Sequence, residues 1–200
     1  MSIFTSDKDL LVFAEAFLEE RKISLIRDTE NCLTGTAPFP AIIYCFSVID
    51  LMGALSSGEA TKEADTGKIA REYMLNFMGY TNDQVNMLQK VFRHKIIHLS
   101  QPLFVTKDGV NKIAWAQHND NRKEHLKIEI GLAGQDIQAP AGIPINLFTR
   151  PIRYNATFIV SIKSLAEDIC KSIDIYISVL KNDTALQHNF DKAIEVISGA

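Results

Sequence analysis

A nearly continuous apolar stretch between Pro40 and Leu55 constrains the fold of this chain more than any other feature. Its residues, PAIIYCFSVIDLMGAL, carry a single charge, at Asp50. A membrane-spanning helix needs about 20 predominantly apolar residues, so this stretch is predicted to be too short to cross a bilayer. A helix that is apolar on most sides is instead typical of a protein core. We therefore expect a buried core helix and no association with a membrane.

Helical periodicity recurs on both sides of this core segment. Ser6 is the predicted N-cap of a first helix that continues to about Glu30. A long apolar stripe with the same period predicts a fifth helix from Ile152 to about Leu180. The other predicted helices are 41–55, 65–78, a fourth that begins at Thr81, Asn82 or Asp83 and ends near His98, and a last one from Asp183 or Thr184 to about Ile197.

The pattern changes from helical to alternating between the fourth and the fifth helix. Residues 103–106 and 110–116 flank Lys107-Asp108-Gly109, and such a turn between two apolar runs predicts a β-hairpin. Residues 125–132 alternate apolar with polar or small side chains, which is typical of a half-buried strand. These segments predict a three-stranded antiparallel β-meander.

The predicted fold is mainly α: a helical bundle that forms a single domain over residues 1–200, with the β-meander as an insertion. The length suits one domain, since domains commonly have about 100–200 residues. The predicted order is helices at 1–100, the β-meander insertion at 102–132, a proline-containing loop at 133–151 and C-terminal helices at 152–198.

Charge and cysteine content narrow the classes of function. The chain has 21 basic and 24 acidic residues, so it lacks the broad positive field of a general nucleic-acid coat protein. Its three cysteines, Cys32, Cys45 and Cys170, are isolated, which argues against a disulfide framework and a zinc ribbon. Charges at positions 7–9 lie where a signal peptide needs an apolar core. We expect a protein of the reducing cytoplasm, and any contact with RNA or DNA is expected to be local.

The end of the predicted fourth helix, Phe92-Arg-His-Lys-Ile-Ile-His98, is the most distinctive segment. On a wheel of 100° per residue, the helix has one apolar face and one mixed face. The apolar face, expected in the core, consists of Val85, Leu88, Phe92, Ile96 and Leu99. The mixed face consists of Met87, Lys90, Val91, Arg93, His94, Ile97 and His98. Apolar and cationic groups together predict a second contact surface, with another copy of the chain as the expected partner.

The string Arg93-His94-x-x-x-His98 resembles the motif of the HEPN superfamily of helical nucleotide- and RNA-associated domains. That motif has an arginine, a polar residue, a few further residues and a histidine, and here it ends a helix in a helical neighbourhood. The superfamily often has Asn or Asp after the arginine, where this chain has His94. The resemblance covers the motif and the bundle, but not the segment at 102–132.

The resemblance implies RNA as the ligand and a metal-independent endoribonuclease that works as a homodimer. A histidine that titrates near neutrality, here His98, can move a proton to or from the ribose 2′-hydroxyl or the leaving 5′-oxygen. Arg93 can hold the scissile phosphate and stabilise its developing charge. Arg93, His94 and His98 are thus the candidate catalytic residues, and this chemistry requires no cofactor and no metal.

Two residues are predicted to support the motif, and each has a simpler explanation. Lys90 lies in the last turns of its helix, where a positive charge interacts favourably with the helix dipole and stabilises the helix by about 0.3–1 kcal/mol. Asp50 is costly inside an apolar helix unless it is paired. It is either a polar group bonded at the helix edge, for example to Arg71 or Arg93, or an anchor that orients the motif.

Two further alternatives remain open from the sequence. His94 and His98 have the spacing to hold a metal on one helical face, with His118 or His125 as a third ligand, but such pairs are frequent by chance. Many HEPN-like domains are non-catalytic partners, for example beside nucleotidyltransferases in toxin–antitoxin pairs. The alternative function is therefore a protein-interaction or nucleotide-binding module that recruits a protein partner.

Overall fold

The computed structural model describes residues 2–61, 63–93, 105–107, 111–130 and 156–199. Within these residues the chain is mainly helical, which confirms the predicted class. The α-helices are α1 (Asp7–Thr34), α2 (Pro38–Ser57), α3 (Thr66–Asn76), α4 (Asn82–Met87), α5 (Ile162–Leu180) and α6 (Thr184–Ser198), and a π-helical turn (Leu88–Arg93) follows α4.

Short polar side chains define where several helices begin. Ser6, Asp65 and Asp183 each accept a backbone N–H of the following turn and cap α1, α3 and α6. Such bonds satisfy donors that a helix start leaves open, so the sequence marks these positions directly. Helix α2 begins at Pro38, where a missing N–H is harmless.

Helix α2 lies inside the helical body, as its apolar composition predicts. It packs against α1, α3, α5 and α6, and Phe46, Ile49 and Met52 are fully buried. The helix is longer than predicted, and by length and composition alone its 20 residues suffice to cross a membrane. The prediction that it is too short is therefore wrong, but 56% of the apolar stretch is buried inside the protein. Its packing is that of a core helix.

The crossing of α2 and α3 depends on Gly53. A Cβ atom at this position would lie 3.0 Å from the backbone N of Ala70 and 3.0 Å from the backbone C and O of Ile69. Backbone atoms in the middle of a helix cannot move aside like a flexible side chain. The absence of a side chain at Gly53 thus permits the close approach of α3, which carries the fully buried Met74.

The β-structure is a four-stranded mixed sheet. Its strands are β1 (Val105–Lys107), β2 (Asn111–His118), β3 (Ile128–Ile130) and β4 (Ala156–Ser161), in the order β1-β2-β4-β3. Strands β1 and β2 pair antiparallel, which confirms the predicted hairpin. Strand β4 lies parallel to β2, with Ile113 opposite Ala156 and His118 opposite Ser161. Strand β3 pairs antiparallel with β4.

The predicted three-stranded antiparallel meander is therefore wrong, because β4 separates β3 from β2. The helical spacing of Phe158 and Ile162 predicts that residues 156–161 belong to the fifth helix. The segment ATFIVS also suits a strand, since it is rich in β-branched and aromatic residues. Its parallel pairing with β2 decides between the two. Strand β3 begins later than predicted, at Ile128, because Leu126 has a left-handed φ of 60° in the turn before it, and residues 131–132 lie outside the described part of the chain.

We predict that Gly53→Ala lowers the free energy of unfolding by about 1–3 kcal/mol, the usual cost of overpacking a core. Chemical denaturation monitored by circular dichroism measures this loss. Ser47→Ala, at an exposed position of the same helix, is the matched control and should change stability by less than about 0.5 kcal/mol. Equal stability of the Gly53→Ala and Ser47→Ala proteins would contradict the close crossing.

Candidate functional site

Helix α4, which leads into the predicted motif, begins with a capping box. The Thr81 hydroxyl accepts the backbone N–H of Gln84 at 3.3 Å, and the Gln84 side chain accepts the backbone N–H of Thr81 at 2.8 Å. The pair satisfies two N–H groups at once and sets the first residue of the helix. Thr81 is therefore the N-cap among the three residues predicted for that role.

The helix changes from α to π geometry immediately before the motif. The turn Leu88–Arg93 is π-helical, so its hydrogen bonds span five residues instead of four. Each residue of the turn consequently advances around the axis by less than the 100° of an α-helix. The predicted wheel does not apply across this turn. π-helical turns of this kind are frequently found at functional sites.

The two faces predicted for this helix are confirmed in part. Val85 and Leu88 are fully buried and Lys90 is exposed, as predicted. Met87, which the wheel assigns to the outward face, is only 5% exposed and belongs to the core cluster. The buried side is broader than predicted, because neighbouring residues can share the wide apolar stripe of a core-facing helix.

Polar side chains hold α4 and the π-helical turn against α3. The Arg71 guanidinium donates to the side-chain oxygens of Asn86 and Asn82, each at 2.5 Å. The Gln89 side-chain amide donates to the carbonyl of Gly67 at 2.6 Å. Asn82 and Asn86 lie on one face of α4, since they are four residues apart, and Gln89 reaches α3 from the π-helical turn. We call the five residues that make these bonds the polar seam: Gly67, Arg71, Asn82, Asn86 and Gln89.

Of the predicted catalytic residues, only the backbone of Arg93 is described, as the last residue of the π-helical turn. The Arg93 side chain, His94 and His98 lie outside the described part of the chain. Lys90 lies in the same turn as Arg93. The structure thus gives the setting of the motif, and the roles of its side chains stay predictions.

Asp50, the other predicted supporting residue, is half-buried in α2, next to the buried Val48 and Ile49. Arg71 is one of the two partners proposed for it. The described hydrogen bonds of Arg71 go to the two asparagines of the polar seam, and the side chain of Arg93, the other proposed partner, lies outside the described part of the chain. An anchoring role for Asp50 stays a prediction.

A second polar cluster, which the sequence did not indicate, lies where β4 meets α5. His125 Nδ1 accepts the backbone N–H of Ser161 at 3.0 Å, and its Nε2 lies 3.8 Å from Asp168 Oδ2. The Tyr80 hydroxyl donates to the same Asp168 oxygen at 2.9 Å. We call these four residues the junction cluster. They come from distant segments, so no motif spacing could have revealed them.

The junction cluster contains the residue types of a hydrolase triad but not the geometry. Ser161 is fully buried, and its hydroxyl lies 2.5 Å from the carbonyl oxygen of Asp120, to which it donates. His125 accepts the Ser161 backbone N–H, whereas a general base must bond the nucleophile's hydroxyl. The cluster therefore has a structural role: it joins the turn before β3 to the start of α5.

Burial determines the protonation of this cluster. It lowers the pKa of His125 to about 4, and the nearby Asp168 carboxylate offsets this only in part. Burial also raises the pKa of Tyr80 well above its ordinary value, and the negative charge of Asp168 acts in the same direction. At neutral pH a neutral imidazole and a neutral phenol thus flank Asp168. Because Nδ1 is an acceptor, the imidazole proton is assigned to Nε2.

A groove of about 660 Å³ between α1 and α5 is a further cavity of the described structure. Three of its charged side chains pair with each other: Lys22 lies 2.9 Å from Glu19 and 2.6 Å from Asp174. Burial raises the pKa of the Cys170 thiol in its wall to about 11, so this thiol is a poor nucleophile at neutral pH. The groove carries no chemical indication of a particular ligand.

Neither the metal-ligating residues of the described structure nor comparisons with known proteins assign a function to the chain. Among the residues that the structure describes, no group of three or more His, Cys, Asp or Glu side chains is arranged to hold a metal ion. No protein-family model matches the chain, and neither a curated protein nor a solved structure matches it significantly.

We predict that His125 makes stability depend on pH. The pKa of His125 is near 6.5 in the unfolded chain and about 4 in the folded chain. The contribution of the neutral imidazole to the free energy of unfolding is therefore fully present above about pH 6.5. As the pH falls from about 6.5 to about 4, stability on the order of 3 kcal/mol should be lost. Denaturation across this range measures the loss.

The variant His125→Asn tests the cause, because its side-chain oxygen can still accept the Ser161 N–H but does not titrate. We expect a flatter stability profile between pH 4 and 6.5. Nuclear magnetic resonance of the imidazole carbons gives the pKa of His125 directly. Titration of His125 near pH 6.5 would show that the imidazole is not desolvated.

Proposed function

We propose that this chain is a HEPN-like helical protein that binds RNA through Arg93, His94 and His98 and cleaves it, without a metal, as a homodimer. The observation that carries the proposal is the motif itself, an arginine and two histidines at the end of a helix. The mainly helical body and the capped, tethered start of that helix support it.

The proposed reaction needs only the side chains of the motif. His98 accepts the proton of the ribose 2′-hydroxyl, whose oxygen attacks the adjacent phosphorus. The bond from phosphorus to the 5′-oxygen then breaks, and that oxygen receives a proton from a second acid, for which His94 is the candidate. The products are a 2′,3′-cyclic phosphate and a 5′-hydroxyl. Arg93 stabilises the charge on the phosphate oxygens.

The charge of the chain suits a local RNA site. With a net charge of −3, the protein does not attract nucleic acid over its whole surface. Lys90 is exposed in the turn that contains Arg93 and adds positive charge beside the motif. We infer that binding involves few phosphates, so its affinity should depend only moderately on salt.

A non-catalytic interaction module is the second candidate function, and one described feature favours it. Phe13 is 40% exposed, although its ring centroid lies 5.3 Å from that of Phe4 and 5.7 Å from that of Phe17. Val12, beside it on α1, is 62% exposed. Adjoining exposed apolar side chains are typical of contact surfaces. This function predicts partner binding that is independent of Arg93 and His98.

We expect the purified protein to cleave single-stranded RNA in the presence of a chelator and to leave 2′,3′-cyclic phosphate ends. His98→Ala should slow cleavage by about 100-fold or more, as loss of a general acid or base does. Arg93→Ala should reduce both binding and cleavage. Gel electrophoresis of labelled RNA and analysis of the product ends provide the measurements.

His188→Ala is the matched control, because His188 is an exposed histidine outside the motif. It should cleave like the unaltered protein, and light scattering should give the mass of a dimer for all variants. RNA binding without cleavage would leave only the binding part of the proposal. Cleavage that survives both Arg93→Ala and His98→Ala would come from a contaminant and would refute the motif's role.

A further inference from the structure

Side-chain hydrogen bonds contribute to several helix contacts of the body, and those of the polar seam join α4 and the π-helical turn to α3. Helices α2 and α3 meet through a close approach of their backbones at Gly53, and α2 meets α5 through fully buried apolar side chains. The α3–α4 contact includes the side-chain hydrogen bonds of the polar seam. Such bonds are directional, so they specify a rotation of the helix as well as a distance.

Gln89 is the member of the polar seam that lies within the π-helical turn. Its amide reaches across to the carbonyl of Gly67 in the first turn of α3. Gln89 is half-buried, and the next residue, Lys90, is exposed. The 2.6 Å bond therefore ties the π-helical turn to α3 only four residues before Arg93.

We propose that Gln89 and Arg71 are positioning residues for the Arg93–His98 motif. Arg71 holds α4 in place through Asn82 and Asn86, and Gln89 holds the π-helical turn that follows α4. Together they set the rotation of the π-helical turn, whose last residue is Arg93. The functional part of this inference rests on the proposed function, whereas the structural part can be tested without RNA.

The physical reason is that phosphate recognition by arginine depends on direction. A bidentate arginine–phosphate pair requires the planar guanidinium to approach at a defined angle. A displacement of about 1 Å or a modest rotation is enough to weaken such a contact. Rotation of the π-helical turn would move the backbone of Arg93, because Arg93 is the last residue of that turn.

The structural part is tested with Gln89→Met, which keeps the length of the side chain and removes the donor. Amide exchange at residues 88–93 should become about tenfold faster, as expected when one hydrogen bond of a local unit is lost. Exchange in α2 and α5 should stay unchanged. Unchanged exchange at residues 88–93 would overturn the tether.

Gln187→Met is the matched control, because the Gln187 amide donates to the carbonyl of Leu180 at 2.8 Å, an equivalent bond at the α5–α6 corner. It should accelerate exchange at that corner and leave both residues 88–93 and RNA binding unaltered. An equal effect of both variants on RNA binding would indicate general destabilisation and overturn the positioning role.

The functional part is tested by a double-mutant cycle between Gln89→Met and Arg93→Ala, with single-stranded RNA as the probe. Gln89→Met should weaken RNA binding about fivefold to tenfold in the unaltered background. In the Arg93→Ala background it should have little further effect, because residues that act through one another are not additive. Additive effects would show that Gln89 does not act through Arg93. If Arg93→Ala itself leaves RNA binding unchanged, the proposed function fails. Amide exchange at residues 88–93 then still shows whether Gln89 ties the π-helical turn to α3.

Discussion

The enclosure of α2 is the constraint on which the rest of the structure depends. A buried helix must find partners for its terminal carbonyls inside the protein. The carbonyls of residues 54–56 accept, in order, the Gly58 N–H, the Tyr176 hydroxyl and the Asn189 amide. Burial raises the pKa of Tyr176 far above its ordinary value, so this hydroxyl stays protonated and remains a donor. Helices α5 and α6 are thereby attached to the end of α2 by directional bonds as well as by packing.

The sheet is joined to this body through β4, which continues directly into α5. Phe158 and Val160 of β4 are buried in the same core as the helices. The junction cluster secures the point where the strand becomes a helix, because His125 satisfies the backbone N–H of Ser161. The sheet is therefore not a separate insertion with its own core, and acid conditions that protonate His125 act on its connection to the bundle.

Helix α4, which leads into the motif, is held both by apolar packing and by polar side chains. Val85, Met87 and Leu88 anchor it in the core, while the hydrogen bonds of the polar seam join it to α3. A polar attachment contributes less stability than apolar packing of equal area, but it defines one orientation. Such an arrangement suits a segment whose side chains must meet a ligand at a fixed angle.

Local features could be predicted from the sequence: the caps at Ser6, Thr81 and Asp183, the buried helix α2 and the β1–β2 hairpin each follow from neighbouring residues. The motif could be located in the same way, because its residues are contiguous. The tertiary structure decided the rest. Whether residues 156–161 form a helix or a strand depends on pairing with β2, and the junction cluster gathers residues up to 88 positions apart. Periodicity reports on the surroundings of one segment, whereas strand order, the tether at Gln89 and the burial of His125 arise from contacts between segments that no local pattern encodes.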